Sequence, residues 1–369
     1  MKISFITTVN HNVGDDFIRE GLKFLLRKRF EGRAIEFANI HKHSPITSRN
    51  GFEKVRSLRQ SERWDRRLPL WITTDKILSA DIVVQSGAPV YWYHEGITDC
   101  VKGNEWYDPL IKWRYRKKQS GALYNLAAGA CQTYNSDGTE FLNSPKVCDY
   151  IKEFHSLCQA TTVRDKLAQD VLKQLGLKAQ LIPCSSIFAA DEYALKDCGS
   201  EYVVLNYMSG GGHFSFGQSI DFSKWQREFK KFYQILKQKE KVVFSCHNQK
   251  EIQEAKDLDP QAEIFFSENY LDYMKFYSRA KFGFMNRIHA SYQLSSYGKP
   301  SLIVGADTRA RMATEIGNTA IFVEDATAEV LLETYNTFLQ RRKDYKEQFS
   351  EIKKAAFNDY MSVLEDDAS

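Results

Sequence analysis

Proline is scarce in this chain, 8 of 369 residues, and glycine is modest at 20. Together they are too few for a collagenous or low-complexity protein. Net charge is also small, since 51 Lys+Arg against 47 Asp+Glu leaves +4. A protein built mainly to bind nucleic acid is clearly basic, so that role is not expected. No 18 consecutive apolar residues occur, so no membrane-spanning helix is expected. The N-terminus reads MKISFITTV, with one Lys and a short β-like run before polar Asn10–Asn12. That is not a signal-peptide pattern. The seven cysteines are odd in number and none is spaced C-x-x-C. They read as reduced thiols of a cytosolic protein, several of them core fillers. No H-E-x-x-H, G-x-S-x-G or P-loop occurs, and carboxylates do not cluster with His at metal spacing. No required metal is expected.

What is present is a globular composition. Hydrophobic residues make up 43% and charged residues 27%, and the 24 Phe and 19 Tyr bring aromatics to 13%. Apolar area is ample, so a disordered chain is excluded. At about 100–200 residues per domain the length fits two domains or one large one.

The hydrophobic pattern alternates strand and helix throughout. A strand over Lys2–Val9 leads to a helix from Asp15 to Phe30 and a strand over Ala34–Ile40, which opens like a βαβ unit. Continuous apolar runs at Asp81–Gln85, Ala122–Ala128 and Ala160–Val163 read as buried parallel strands. A helix over Asp165–Leu175 closes at Gly176, and Leu181–Ile182 is a short strand. The segment Ala189–Ser200 is polar and is read as the domain boundary. Beyond it, strands are expected at Tyr202–Tyr207, Val242–Ser245, Glu263–Phe266, Phe282–Met285, Ser301–Val304 and Ala320–Val323. Helices alternate with them and finish the chain to about Leu364. The expected fold is α/β, with two Rossmann-like, doubly wound domains facing across a cleft. Residues 1–190 would form the first, 200–345 the second, and 346–369 a C-terminal helix and tail. Ligands of such sheets bind beyond the strand carboxyl ends.

Several motifs stand at those ends. Asn12, Gly14 and Asp15 fall between the first strand and first helix. Asp15 there is either a base or a helix cap. Ser86-Gly87 follows a buried strand, where small residues let a ligand approach. Arg164-Asp165 places a cation at a strand end heading a helix, the position for a phosphate or carboxylate, although a surface ion pair has the same sequence. Asn286-Arg287-Ile288-His289 is the most informative group. Arg supplies a permanent two-pronged cation and His a group that exchanges a proton near neutrality. His247 ends another strand, and His213 closes the run Ser209-Gly210-Gly211-Gly212. That run is either a ligand cradle or a flexible loop.

Two stretches mix cations with aromatics: Arg63-Trp64-Asp65-Arg66-Arg67 and Lys112-Trp113-Arg114-Tyr115-Arg116-Lys117-Lys118. Residues 42–67 hold eight Lys/Arg against three Asp/Glu. Such mixtures suit anionic headgroups, sugar diphosphates or a membrane surface, and equally a solvated helix face with buried aromatic flanks.

Taken in order, these motifs resemble the polysaccharide pyruvyl transferase family. The matching pieces are Asn12-Val13-Gly14-Asp15, Ala80 to Gly87, Thr162-Val163-Arg164-Asp165, Cys246-His247, Arg287-Ile288-His289-Ala290 and Tyr297-Gly298-Lys299-Pro300. The resemblance implies a GT-B-like pair of domains. It implies transfer of the enolpyruvyl carbons of phosphoenolpyruvate, a co-substrate with no further cofactor, to two hydroxyls of a sugar. The products would be a cyclic ketal and phosphate, and the acceptor a bacterial-type polysaccharide or its lipid-linked precursor. By the family pattern Arg164, Arg287, Ile288 and His289 match the donor-binding positions, and Asp15 the acidic one. Asp15 and His289 are the expected catalytic pair, with His289 holding phosphate or acting as the acid. Asn12, Gly14, Gly87, His213 and His247 are expected to line the ligand. The chain departs from the family pattern at Ala88, where a second Gly is frequent, at Ala168, where Ser is, and at Arg309, where a Lys stands near the late Asp. The expected location is the cytoplasm, at the inner membrane face if the basic-aromatic stretches touch lipid. Two other functions fit the same pattern: a GT-B glycosyltransferase using a nucleotide sugar, and a non-catalytic glycan-assembly protein.

Overall fold

The computed structural model describes residues 1–8, 12–41, 80–101, 121–212 and 214–365. Three of the readings above, His213 and the two basic-aromatic stretches, lie outside the described residues.

The first sheet is built of β1 (Lys2–Thr7), β2 (Glu36–His41), β3 (Ile82–Ser86), β7 (Ala122–Ala130), β8 (Ala160–Val163) and β9 (Gln180–Leu181), with β4 (Pro89–Tyr91) alongside β7. Their order is β2-β1-β3-β7-β8-β9, all parallel. A small antiparallel hairpin of β5 (Tyr93–His94) and β6 (Thr98–Asp99) follows β4. The second sheet holds β10 (Tyr202–Leu205), β11 (Val242–Ser245), β12 (Ile264–Phe265), β13 (Ala280–Met285), β14 (Ser301–Gly305) and β15 (Thr319–Phe322). It runs β12-β11-β10-β13-β14-β15, again all parallel. In each sheet the order reverses beside the first strand, between β1 and β3 and between β10 and β13. Chains leaving those strands diverge to opposite faces, which opens a crevice at the carboxyl ends.

Among the described residues ten helices cover the sheets: α1 (Val13–Arg29), α2 (Pro145–Leu157), α3 (Lys166–Gln174), α4 (Ala189–Glu192), α5 (Phe222–Leu236), α6 (Gln249–Leu258), α7 (Tyr270–Ser278), α8 (Ile288–Ser296), α9 (Ala328–Gln340) and α10 (Arg342–Glu365). The expected elements are present with ends shifted by a few residues. Three features are corrections. Helix α2 was not anticipated, although Pro145 at its start and buried Val147, Cys148, Ile151 and Phe154 mark an amphipathic helix. The segment expected to be a polar linker begins with fully buried Ala189 and Ala190. The last helix starts at Arg342 rather than at 346 and returns to the first half. There Tyr360 donates to the Pro183 carbonyl (3.1 Å), and Arg29 reaches the Leu364 carbonyl (2.9 Å).

α1 shows why its sequence is apolar on one side and still buried on the other. Phe17, Ile18, Leu22, Leu25 and Leu26 pack on the first sheet. Asp16, Arg19 and Glu20 point elsewhere, yet they too are buried. The second half covers them. Tyr193 donates to Glu20 (2.6 Å), Arg19 lies over the Tyr270 ring, and Arg19 bonds Asp16 (2.6 Å) and Glu20 (2.8 Å). Burial pushes the Asp16 carboxyl up to about 6, against the pull of Arg19. A second seam joins the halves where Gln132 and Thr308 exchange hydrogen bonds (2.9 and 3.0 Å). Among the described residues no helix is long and apolar enough to cross a membrane.

Candidate functional site

A cavity of about 390 Å³ lies between the two sets of strand ends. It receives residues that follow β1, β4, β8, β10, β11, β13 and β14. Two sheet edges that face each other therefore gather side chains scattered over about 300 residues of sequence.

From the first half come Asn12, Gly14, Asp15 and Arg164. Asn12 caps α1 by accepting the Gly14 amide (3.1 Å). That frees Asp15, in the first turn, from capping duty. Its carboxylate accepts the Thr8 hydroxyl and borders the cavity. Arg164 is wholly buried. Its guanidinium lies across Gly129, where a Cβ would come within 2.7 Å of Nε, so only glycine leaves room. Asp165 caps α3 through the Ala168 amide (2.8 Å) and accepts Ala130 (3.0 Å). Burial pushes Asp165 up to about 6 in spite of those bonds and of Arg164 nearby.

From the second half come Arg287, Ile288, His289 and His247. Arg287 precedes α8, and among the described residues no side chain caps that helix. The amides of its first turn are directed at the cavity with the positive end of the helix dipole. Arg287 is fixed by Glu251, with Nε to Oε1 at 2.9 Å and a second bond from Nη2. Glu251 in turn accepts the His247 amide (2.9 Å) and Asn206 (3.0 Å). Burial would raise Glu251, but Arg287 outweighs it and the carboxylate stays low.

His289 ties the halves together. Arg164 Nη1 donates to His289 Nε2 at 3.2 Å. Arginine has no acceptor, so Nε2 must be unprotonated and the proton sits on Nδ1. A Cβ on Gly14 would come within 2.7 Å of that Nδ1, which explains the glycine. Burial, then Arg164, Arg309 and Arg287, hold His289 well below the ordinary histidine range. The site thus holds a neutral imidazole among three guanidinium groups. His247 is held down to about 4, chiefly by burial. Its Nε2 meets the Tyr277 hydroxyl (3.0 Å), while Nδ1 has no partner among the described residues.

Of the expected residues, Asn12, Gly14, Asp15, Arg164, His247, Arg287, Ile288 and His289 all line this one cavity. Gly87 does not. It packs under β7, where a Cβ would strike the Ala127 carbonyl and Ile18, so its smallness serves packing. Sequence reasoning missed Arg309 as a site residue. It lines the cavity and pairs through two bonds with Asp307 (2.8 and 2.6 Å). The signal was its place just beyond β14, the same position relative to a strand that marked the other cations. Trp92, Phe214 and Phe216 were also missed. Cys131 reaches the cavity too, but burial pushes its thiol up, so it remains protonated and is no nucleophile.

A family model for polysaccharide pyruvyl transferase matches residues 12–308, which includes every one of these site residues except Arg309. The chain belongs to the polysaccharide pyruvyl transferase family. As a family member it is a transferase of polysaccharide biosynthesis. A search of the curated proteins found no match. Among solved structures it is similar to S. aureus MnaA with UDP, at 12% identity and a TM-score of 0.56, over 95% of this chain and 91% of that one. It is also similar to the UDP-GlcNAc 2-epimerase of Neisseria meningitidis bound to UDP-GlcNAc, at 12% identity and 0.53, over 95% and 94%. The UDP-GlcNAc 2-epimerase of Methanocaldococcus jannaschii gives 12% and 0.50 over 92% and 93%. At such identities the likeness concerns the fold alone. It places this pyruvyl transferase family member among GT-B proteins, as its two parallel sheets do.

Proposed function

We propose that the protein transfers pyruvate from phosphoenolpyruvate to two hydroxyls of a sugar in a polysaccharide or its lipid-linked precursor, giving a cyclic ketal and phosphate. One observation carries this reading. Arg164 is a wholly buried cation that forms no ion pair among the described residues, and it is aimed with neutral His289 into a cavity fed by an uncapped helix start. The neighbouring Asp165 carboxylate is taken up by the Ala168 and Ala130 amides, and an anionic ligand would give Arg164 the direct ion pair it lacks. Phosphoenolpyruvate brings two anionic groups, and Arg164, Arg287 and Arg309 supply three cations.

The chemistry then follows from charge and proton balance. One sugar hydroxyl adds to C2 of the enol as C3 takes a proton and becomes a methyl group. The second hydroxyl replaces phosphate at C2 and closes the ketal. Two hydroxyl protons are released, and one net proton ends on C3 and one on phosphate. Asp15 is the proposed base for the sugar hydroxyl. Neutral His289 offers its Nδ1–H to the donor phosphate. Once that dianion is bound, its field raises the imidazole's proton affinity, so His289 can pass a proton on. The guanidinium groups and the α8 amides stabilise charge developing on the leaving phosphate. The basic-aromatic sequence of residues 112–118 suits a lipid-linked acceptor at a membrane face, which salt-sensitive sedimentation with anionic vesicles checks.

The test uses the purified chain with phosphoenolpyruvate and, separately, with nucleotide sugars. A thermal shift with phosphoenolpyruvate, absent with nucleotide sugars and abolished in Arg164→Met, is expected. A shift with nucleotide sugars alone would overturn the reading in favour of a glycosyltransferase.

A further inference from the structure

The cavity has two kinds of wall. The cations surround His289. Another part of the lining is largely apolar: Pro89 and Trp92 from the first half, Phe214 and Phe216 from the loop after β10, with Thr98 beside them. The carboxylate nearest that second wall, Asp307, is held by the Arg309 guanidinium. His94 stacks on Phe216 (centroids 3.5 Å, 13°), Phe216 on Phe214 (5.2 Å, 25°), and Arg309 lies over the Phe214 ring (5.1 Å). This column runs from the hairpin of the first half to the cations of the second. Two features show that it is more than core packing. Phe214 is 50% exposed, unusual for a side chain held in a stack. Phe216 has φ 51°, a left-handed conformation that is strained for a bulky residue. Strain of this kind persists where the surroundings hold a side chain in place, commonly at a ligand clamp.

We propose that this wall is the acceptor subsite and that it takes the apolar C–H face of a neutral pyranose. The proposal rests on the pyruvyl transfer reading for its occupant. A sugar so placed turns its C–H patch to Trp92, Phe214 and Phe216 and its hydroxyls toward Asp15 and His289. The two hydroxyls that form the ketal then face the donor carbon. Because the wall offers aromatic surface and its neighbouring carboxylate, Asp307, is already paired with Arg309, it selects ring shape rather than charge. Because it draws on both halves, sugar binding also holds the cleft together.

The experiment is saturation-transfer NMR with methyl β-galactoside, methyl β-glucoside and methyl α-mannoside, each with inorganic phosphate present to fill the cationic part. At least one glycoside should receive saturation concentrated on the protons of one ring face. In Phe214→Ala and Trp92→Leu that signal should fall at least fivefold, a larger loss than any in the thermal shift with phosphoenolpyruvate. Phe214→Ala, at an exposed position, keeps the test valid should Trp92→Leu fail to fold. No saturation for any of the three sugars, or saturation unaltered in Phe214→Ala, overturns the subsite. Sugar binding with no phosphoenolpyruvate shift would instead sink the donor reading and leave an aromatic sugar site standing.

Discussion

On the rim of the first sheet, Arg164 is fully buried and forms no ion pair among the described residues. On the rim of the second, Arg287 and Arg309 each rest on a carboxylate of their own, Glu251 and Asp307. The difference separates two jobs. A cation held by a carboxylate is aimed in advance, and much of its charge is already neutralised. A buried cation with no direct ion pair, only Asp165 close by, keeps more of its field for a ligand and costs stability until the ligand comes. The second rim thus supplies geometry and the first supplies unspent charge, and His289 stands between them.

The strongest break of this comparison is Arg164→Met. We expect kcat/KM with phosphoenolpyruvate to fall about 1,000-fold, as expected for losing two charge-assisted bonds. The melting temperature should stay level or rise, because an unmatched charge leaves the interior; a clear fall would show that Arg164 is structural. Next comes His289→Asn, expected to lower turnover about 100-fold if the imidazole moves a proton. Unaltered turnover would remove it from the chemistry. Arg287→Met should behave opposite to Arg164→Met in stability. It strands Glu251, which is 2% exposed at the side chain, and should cost about 2–4 kcal/mol in denaturant unfolding. Adding Glu251→Gln should recover part of that loss, and no recovery would deny the pairing its role.

A smaller effect is read in pH. His247 is held down to about 4, so between there and about 6.5 the unfolded chain binds a proton that the folded chain refuses. That contribution weakens the fold as pH falls from 6.5 toward 4. Asp16 and Asp165, both pushed up to about 6, act with the opposite sign and weaken the fold as pH rises from about 4 to 6. His247→Asn should therefore raise stability at pH 5 relative to pH 7, by melting temperature, and an unchanged ratio would reject the shift. The least effect is expected from Arg309→Lys, which keeps charge but loses the fork on Asp307, and should lower donor affinity less than tenfold.

Much of the scaffold was legible in the sequence because strands and helices announce themselves by period. The buried runs at Ile82–Ser86 and Ala122–Ala130 had no alternation, as strands covered on both faces must. The rim residues were legible for a related reason: in parallel sheets the position just past a strand is the ligand edge. That brought Asp15, Arg164, Arg287 and His289 to the one cavity, and the same logic applied once more would have added Arg309 to its lining. Gly87 failed because small residues after a strand serve packing as readily as binding. The aromatic wall left no signal at all. Trp92, Phe214 and Phe216 lie in irregular segments, where neither period nor cap marks a side chain's direction.

The sequence by itself determined the two alternating α/β halves, the family and the cations waiting at strand ends, since these depend on local pattern and order along the chain. Only the tertiary structure decided which cation is unmatched, which nitrogen of His289 carries its proton, and that an aromatic wall closes the cleft. Those facts depend on residues over a hundred positions apart, such as Arg164 with His289 and His94 with Phe216. Contact, burial and shared charge are properties of the folded arrangement, and no spacing along the chain encodes them.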